Sequence, residues 1–90
     1  MRELELSTQF KKGLKRLSKQ RAPLDELNAA IMILQNDVPI PEKYKDHLLI
    51  GNWKEYREIH ITPDLLLIYK KTDTSLRLSA AGTHAELFGK

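Results

Sequence analysis

The sequence predicts an α+β domain, with a helical hairpin packed on one face of a mostly antiparallel four-stranded sheet, in the order βααβββ. Two observations lead to this class. Apolar residues recur with a helical period between residues 7 and 35, whereas they alternate or run together, as in strands, at residues 1–6 and after residue 51. The chain of 90 residues has room for one compact core, so residues 1–90 are expected to form a single domain.

The first strand and both helices lie in the N-terminal part of the chain. Residues 1–6 alternate between apolar and charged side chains, which indicates a short strand. Ser7 or Thr8 can cap the first helix, and Gly13 interrupts it at a cost of about 1 kcal/mol relative to alanine. Pro23 suits the first position of the second helix. The apolar stripes of the two helices are Phe10, Leu14 and Leu17, then Leu24, Leu27, Ile31 and Leu34.

A proline-containing loop at residues 36–46 precedes three predicted strands. These are WKEYREIHI (53–61), LLLIYKK (65–71) and LRLSA (76–80), with a turn at 62–64 and a second turn at TDTS. The closing stretch GTHAELFGK predicts a turn and one short helical turn. Because short turns make successive strands neighbours, the three strands should form a meander. No predicted element covers the sheet face opposite the helices.

Composition excludes several classes of protein. There is no cysteine, so disulfides and thiolate metal sites are excluded, and a reducing cytoplasm is the expected location. The charged start MRELELSTQF does not resemble a signal peptide, and no apolar run reaches the length of a membrane span. We therefore expect no membrane association.

Positive charge is concentrated on the first helix. The net charge is only +3, but residues 7–21 hold six Lys or Arg and no acid. Such a stripe favours a polyanion or an acidic partner. A merely solvated helix face explains the same pattern equally well.

Four residues with acid–base chemistry lie at the ends of successive predicted elements: His47, His60, Asp64 and His84. If the strands pair as neighbours, these residues converge. Histidine has an unperturbed pKa near 6.5, so one ring can act as a base and another as an acid at neutral pH. Each residue also has a structural explanation of its own. His60 suits a solvent-facing strand position, and Asp64 after Pro63 is a normal turn residue.

A long spaced pattern gives these residues a context. The stretch YKDHLLIGNWKEYREIHITPDLLLIYK, followed by GTHAELFG, resembles the YafQ branch of the RelE superfamily, bacterial toxins that cleave messenger RNA. The family pattern runs approximately Y-x-D-H-x-L-x-G-x-W-x-x-x-R-x-x-H-x-x-P-D-x-x-L-x-Y, then G-[TS]-H-x-x-L-F. The matching residues are Tyr44, Asp46, His47, Leu49, Gly51, Trp53, Arg57, His60, Pro63, Asp64, Leu67, Tyr69, Gly82, Thr83, His84, Leu87 and Phe88.

The resemblance implies a RelE-like, microbial-RNase-type fold and a toxin that cleaves messenger RNA in the A site of the 70S ribosome, without a metal or another cofactor. It also implies a cognate antitoxin that has an acidic segment and binds DNA. The implied catalytic residues are His47, His60, Asp64 and His84. The expected contacts to messenger or ribosomal RNA are Lys11, Lys12, Lys15, Arg16, Lys19, Lys45, Lys54, Arg57, Arg77 and Phe88.

RNA's own chemistry then predicts roles for the implied residues. A base removes the 2′-hydroxyl proton, and an acid protonates the 5′-oxygen leaving group. We expect His84 to be the acid and His47 the base, with Asp64 and His60 orienting them.

One position departs from the family pattern. Relatives commonly carry an arginine four residues before the last histidine, where this chain has Ala80. Such an arginine would stabilise the phosphorane charge. Its absence leaves three explanations: Arg77 or Arg57 replaces it, the enzyme is weak, or the chain was inactivated deliberately. A metal hydrolase and a non-catalytic module that binds RNA, the ribosome and the antitoxin are the alternative functions.

Overall fold

The computed structural model describes residues 1–49 and 55–89. The elements are β1 (Glu3–Leu6), α1 (Thr8–Lys19), α2 (Leu24–Gln35), a short 3₁₀ helix (Glu42–Tyr44), β2 (His47–Leu48), β3 (Arg57–His60), β4 (Leu66–Lys71), β5 (Ser75–Gly82) and α3 (His84–Phe88). The predicted α+β class is confirmed. Trp53 and Lys54, at the start of the predicted second strand, lie outside the described residues.

The strands form one sheet in the order β1-β5-β4-β3-β2. β1 runs parallel to β5, and the other pairs are antiparallel. The prediction of four strands was wrong by one, because β2 is a fifth strand of only two residues. Its sequence is too short to show alternation, and it is defined by the pairing of His47 with Glu58 on β3.

The first helix is attached to the sheet at its start. Ser7 is the N-cap of α1, and its side-chain oxygen accepts a hydrogen bond from the Phe10 N–H at 2.9 Å. The same hydroxyl donates to the Ser79 carbonyl on β5 at 2.7 Å. One serine therefore satisfies the helix terminus and also ties it to the centre of the sheet.

Gly13 lies where α1 crosses β5. A Cβ atom at this position would lie 2.5 Å from the Ala81 carbonyl oxygen, closer than packed atoms approach each other. The glycine that lowers the helix propensity of α1 thus allows the helix backbone to approach the strand.

The main core lies between the helical hairpin and one face of the sheet. Its largest fully buried members are Leu17, Leu27, Leu34, Ile59, Leu67, Tyr69, Leu76 and Leu78. The opposite face was expected to be uncovered, and this prediction was wrong. Glu58, Leu66, Ile68 and Ala80 alternate with core residues along their strands, so they lie on the opposite face, and they too are buried.

A partly buried polar cluster joins the loop before β2 to the centre of the sheet. Arg57 donates to both carboxylate oxygens of Asp46 at 2.9–3.2 Å, and the Tyr69 hydroxyl donates to Asp46 at 2.6 Å. Burial, and to a smaller extent this hydrogen bond, raises the pKa of Tyr69. The hydrogen bonds to the Asp46 carboxylate raise the pKa of Arg57. The cluster fixes residue 46 and thereby the adjacent His47.

The connecting segments largely follow the sequence prediction. Turns occur at residues 62–65 and 72–75, as expected. Residues 36–46 form a loop that also contains the 3₁₀ helix, directly after Pro41. Pro23 caps α2 rather than occupying its first position. In the described parts of the chain, no helix is long and apolar enough to cross a membrane.

Candidate active site

Three histidine rings lie in a row on the sheet face opposite the helices. His47 begins β2, His60 ends β3 and His84 begins α3. The ring centroid of His60 lies 5.9 Å from that of His47 and 5.8 Å from that of His84. The predicted convergence of the three histidines is therefore present in the structure. It arises because β3, β4 and β5 are adjacent and α3 follows β5 directly.

The buried carboxylate of Glu58 contacts two of these rings. Glu58 was not among the site residues predicted from the sequence. Oε2 of Glu58 lies 3.0 Å from Nε2 of His47 and 3.5 Å from Nε2 of His60. The Glu58 side chain is 5% exposed, and its Oε1 has no hydrogen-bond partner among the described residues. A signal was present in the sequence, because Glu58 and His60 are two residues apart on one strand and so share a face.

Both ring nitrogens of His47 face acceptor oxygens. Nδ1 lies 2.9 Å from the Lys45 carbonyl oxygen, and Nε2 faces the Glu58 carboxylate. A carbonyl and an ionised carboxylate can only accept hydrogen bonds. The two contacts hold the ring in place from both sides.

His60 has a different environment. Its side chain is 19% exposed. Partial burial lowers the pKa of His60 below its usual value of 6.5, and the neighbouring His47, His84 and Lys45 lower it further, while Glu58 opposes the shift. At neutral pH His60 is therefore mainly the neutral imidazole, which keeps a lone pair on one nitrogen.

His84 and Phe88 lie on α3, which is anchored at its start. The Thr83 hydroxyl accepts from the Glu86 N–H at 3.2 Å, and Glu86 in turn accepts from the Thr83 N–H at 2.9 Å, forming a capping box. Glu86 also pairs with Arg16 of α1 at 2.8 Å. The Phe88 ring centroid lies 6.0 Å from that of His84, so the two rings are in contact.

Asp64 is exposed in the turn between β3 and β4. Its N–H faces the Thr62 hydroxyl, and its carboxylate makes no hydrogen bond or ion pair within residues 1–49 and 55–89. The carboxylate that contacts the histidines is Glu58. A catalytic role of Asp64 stays a prediction.

The predicted cationic contacts fall into separate groups. Arg57 lies on the core side of the sheet, since it is paired across strands with the buried Tyr69, and its guanidinium binds Asp46. Arg77 lies on the site face, with Glu5 at 3.8 Å. Lys45 lines a cavity beside His60, and Lys54 is outside the described residues. The cations of α1 are Lys11, Lys12, Lys15, Arg16 and Lys19, of which Arg16 pairs with Glu86.

Ala80 belongs to the site face. It pairs with Ile68, which also pairs with Glu58, and Glu58 pairs with His47. These four residues form one row across β5, β4, β3 and β2. Ala80 has no exposed surface. An arginine at this position would extend from the row that contains Glu58 and His47.

Three of the site residues could also hold a metal ion. Ligand atoms of His47, Glu58 and His60 all lie within 4.8 Å of one another. Two imidazoles and a carboxylate are donors that Zn²⁺ and Cu²⁺ accept. The metal-hydrolase alternative combined His60 and Asp64 with the other histidines. In the structure, Glu58 takes the place of Asp64 in such a set.

The family model described as "Bacterial toxin of type II toxin-antitoxin system, YafQ" matches residues 2–89. This chain belongs to the YafQ toxin family. The resemblance noted in the C-terminal half therefore extends over nearly the entire sequence.

Relatives of the YafQ family support this assignment. The chain is 44% identical over 89 residues to the mRNA interferase toxin YafQ of Escherichia coli K12, covering 98% of this chain and 97% of that protein. The toxin in the E. coli DinJ–YafQ toxin–antitoxin complex superposes with a TM-score of 0.90 at 45% identity, with 98% of each chain covered. A metal-bound toxin from Helicobacter pylori superposes with a TM-score of 0.90 at 41% identity, covering 98% of this chain and 100% of that one.

Proposed function

We propose that this chain is an endoribonuclease toxin that cleaves messenger RNA on the ribosome and is held inactive by a cognate antitoxin. The observation that carries the proposal is the row of three histidines, whose neighbouring ring centroids lie 5.9 and 5.8 Å apart. The E. coli relative, which shares 44% of its residues over nearly the whole chain, is named an mRNA interferase. A row of this kind provides the acid and the base that RNA cleavage requires.

The reaction uses RNA's own nucleophile. A base takes the proton of a 2′-hydroxyl, and the 2′-oxygen forms a bond to the adjacent phosphorus. The bond from phosphorus to the 5′-oxygen then breaks, and an acid protonates that oxygen. The products are a 2′,3′-cyclic phosphate and a 5′-hydroxyl end, and no covalent enzyme intermediate is formed.

The geometry favours His60 as the base. His60 is mainly neutral at pH 7 because its pKa is lowered, and with Nε2 turned towards Glu58 its lone pair is on Nδ1. The sequence predicted His47 as the base, but both of its ring nitrogens already contact oxygens of the protein, at 2.9 and 3.0 Å. We assign His47 to a supporting role at the site, with Glu58 and the Lys45 carbonyl fixing its ring.

His84 is the acid in this scheme, as the sequence analysis proposed. It is exposed at the start of α3, next to His60 in the histidine row. Phe88 borders it from the same helix and offers an aromatic face on which a base can stack. Asp64, at the turn beyond β3, is proposed to contact the substrate rather than the histidines.

The partners follow from the charge on α1. Lys11, Lys15 and Lys19 line a groove of about 520 Å³ between α1 and α2, together with Leu14 and Leu24. We propose that this surface contacts ribosomal RNA phosphates when the toxin is active. An acidic segment of the antitoxin is the second proposed occupant. A toxin–antitoxin complex has been solved for an E. coli relative that is 45% identical to this chain.

The test is to induce the chain in bacteria and to map new 5′ ends on messages. Cleavage confined to translated messages supports the proposal, and equal cutting of ribosome-free RNA contradicts ribosome dependence. No cleavage would favour the non-catalytic module. Reactions with EDTA decide the metal alternative. If the histidines act as acid and base, EDTA leaves the rate unchanged and Zn²⁺ inhibits, because the ion takes the lone pair of His60.

A further inference from the structure

A cavity beside the histidine row has no role in the scheme above. It has a volume of about 440 Å³ and is lined by Lys43, Lys45, His60, Ile61, Thr62 and Pro63. His60 forms one wall, so a molecule inside the cavity would reach the middle ring of the row. The volume lies within the range of pockets that hold small organic ligands.

The lining of the cavity has a cationic part and an apolar part. Lys43 and Lys45 provide positive charge, and no lining residue is acidic. Lys45 is close enough to His60 to lower the pKa of that histidine. Pro63, which is exposed, and Ile61, which is 6% exposed, provide the apolar part of the lining. A nucleotide has the matching two parts, an anionic phosphate and a flat base with an apolar face.

Hydrogen bonds within the chain hold the backbone segments that line the cavity. The Ile61 N–H donates to the Leu65 carbonyl at 2.8 Å, which closes the turn that carries Thr62 and Pro63. Lys45 has a left-handed backbone conformation, with φ of 50°. Its N–H donates to the Glu42 carbonyl at 3.0 Å, and its own carbonyl is held by His47. Preformed walls lower the entropic cost of binding.

We propose that this cavity is a subsite for one nucleotide of single-stranded RNA, next to the nucleotide whose 2′-hydroxyl reacts. Lys45 and Lys43 bind its phosphate, and Pro63 and Ile61 contact its base. The subsite rests on the proposed ribonuclease function, because it gives the cavity a ligand of that reaction. It also places Lys45, a cation, near the reacting phosphate in a chain that has Ala80 where relatives commonly carry an arginine.

The probe is a trinucleotide of 2′-O-methyladenosine, which cannot be cleaved because its 2′-oxygen carries no proton. Titration into labelled protein should shift the amide signals of Ile61 and Thr62 and the ring signals of His60. Inorganic phosphate alone should shift the His60 ring but not Ile61, which separates phosphate binding from recognition of a nucleotide.

Substitution of Lys45 tests the phosphate contact. Losing one contact lowers the slope of log affinity against log salt by about 0.7 for a single strand. Lys45→Ala should show this loss. Lys71→Ala is the matched control, because Lys71 lies at the opposite end of β4 and pairs with Asp37. Equal salt slopes for Lys45→Ala and Lys71→Ala would overturn the subsite. Signal shifts in the titration that do not include the residues lining the cavity would overturn it as well.

A separate cleavage assay distinguishes this result from failure of the ribonuclease proposal. If the parent cuts translated messages while the trinucleotide leaves the cavity signals unchanged, the subsite is wrong and the enzyme stands. If the trinucleotide occupies the cavity while messages stay intact, the binding site is supported and the proposed activity is wrong.

Discussion

The Glu58 carboxylate lies 3.0 Å from Nε2 of His47, directly across the β2–β3 pair. Glu58 is buried and His47 is half exposed, so the contact links a desolvated acid to a ring at the surface. A buried carboxylate is costly unless it is paired, and among the described residues the Glu58 carboxylate contacts the rings of His47 and His60. A change at Glu58 should therefore affect both the packing of the sheet and the histidine row.

Glu58→Gln keeps the shape of this side chain and removes its charge. His47 then loses a contact that holds its ring, and we expect cleavage to fall about 10- to 100-fold, as when a carboxylate behind a metal-bound histidine is removed. Glu55→Gln is the control, since Glu55 is exposed and pairs with Lys70 at 3.5 Å. Cleavage rates in a translating extract provide the measurement. Equal rates for both variants would exclude a role for Glu58.

Removing the side chain of the proposed acid, His84, or of the proposed base, His60, should lower the cleavage rate. His84→Ala and His60→Ala should each lower cleavage about 10²- to 10⁴-fold, the contribution of a positioned acid or base. Asp64→Ala should cost less, because its carboxylate makes no contact with the histidines within the described chain. Urea unfolding should show little loss of stability for the exposed His84 and Asp64. Near-parental activity of His84→Ala would show that another group protonates the leaving oxygen.

The pH dependence should report the lowered pKa of His60. The base must be unprotonated, so the rate should fall on the acid side with a midpoint below 6.5. Glu58 opposes the lowering, so Glu58→Gln should move this midpoint to lower pH still. The same shift makes His60 contribute stability above pH 6.5 that is lost as the pH falls. Rates measured between about pH 5 and pH 8 test the assignment. A midpoint above 6.5, or one that Glu58→Gln does not move, contradicts it.

Restoring the family arginine should have two effects. Ala80→Arg should raise cleavage by adding a cation to the row of Glu58 and His47. It should also lower stability by about 1–3 kcal/mol, because Ala80 is fully buried and a larger side chain must displace its neighbours. Ala80→Met adds length without charge and controls for packing. If arginine gives no more cleavage than methionine, the existing cations already fill the role.

The basic surface of α1 should determine affinity for the ribosome and leave the choice of codon unchanged. Reversing Lys11, Lys15 and Lys19 to Glu should lower the slope of log affinity against log salt by about two to three, since each phosphate contact adds nearly one. Replacing the same residues with Arg keeps the charge and should keep the slope. Ribosome binding across salt concentrations is the measurement, and identical slopes for the two variants would mean that this face is merely solvated.

Gly13→Ala provides a test of the fold that is independent of activity. Alanine favours a helix over glycine by about 1 kcal/mol, yet its Cβ would lie 2.5 Å from the Ala81 oxygen. We expect the clash to prevail, with a net loss of about 1–3 kcal/mol in the free energy of unfolding. Ser18→Ala, at an exposed position of α1, should change it little. A stabilised Gly13→Ala protein would mean that α1 can move away from β5.

Local pattern in the sequence was sufficient for most of the elements. The helical period of Phe10, Leu14 and Leu17, the capping serine and the alternation of β1 all depend on residues close together in the chain. The turns that join β3, β4 and β5 are also short, so the neighbouring strands, and with them His60 and His84, could be placed from the sequence.

The tertiary structure alone decided the features that depend on distant residues. β2 exists because His47 pairs with Glu58, and its two residues carry no periodicity of their own. Arg57 was a candidate for the site, but its register with Tyr69 places it on the core face.

The burial of Glu58 could likewise not be predicted from the sequence, because a glutamate in a strand is usually solvated. Only the packing of the site face buries it beside His47. Charge on a side chain is readable from the sequence. Whether that side chain is buried depends on which chain segments surround it. Burial in turn decides what the charge costs and in which direction the pKa shifts.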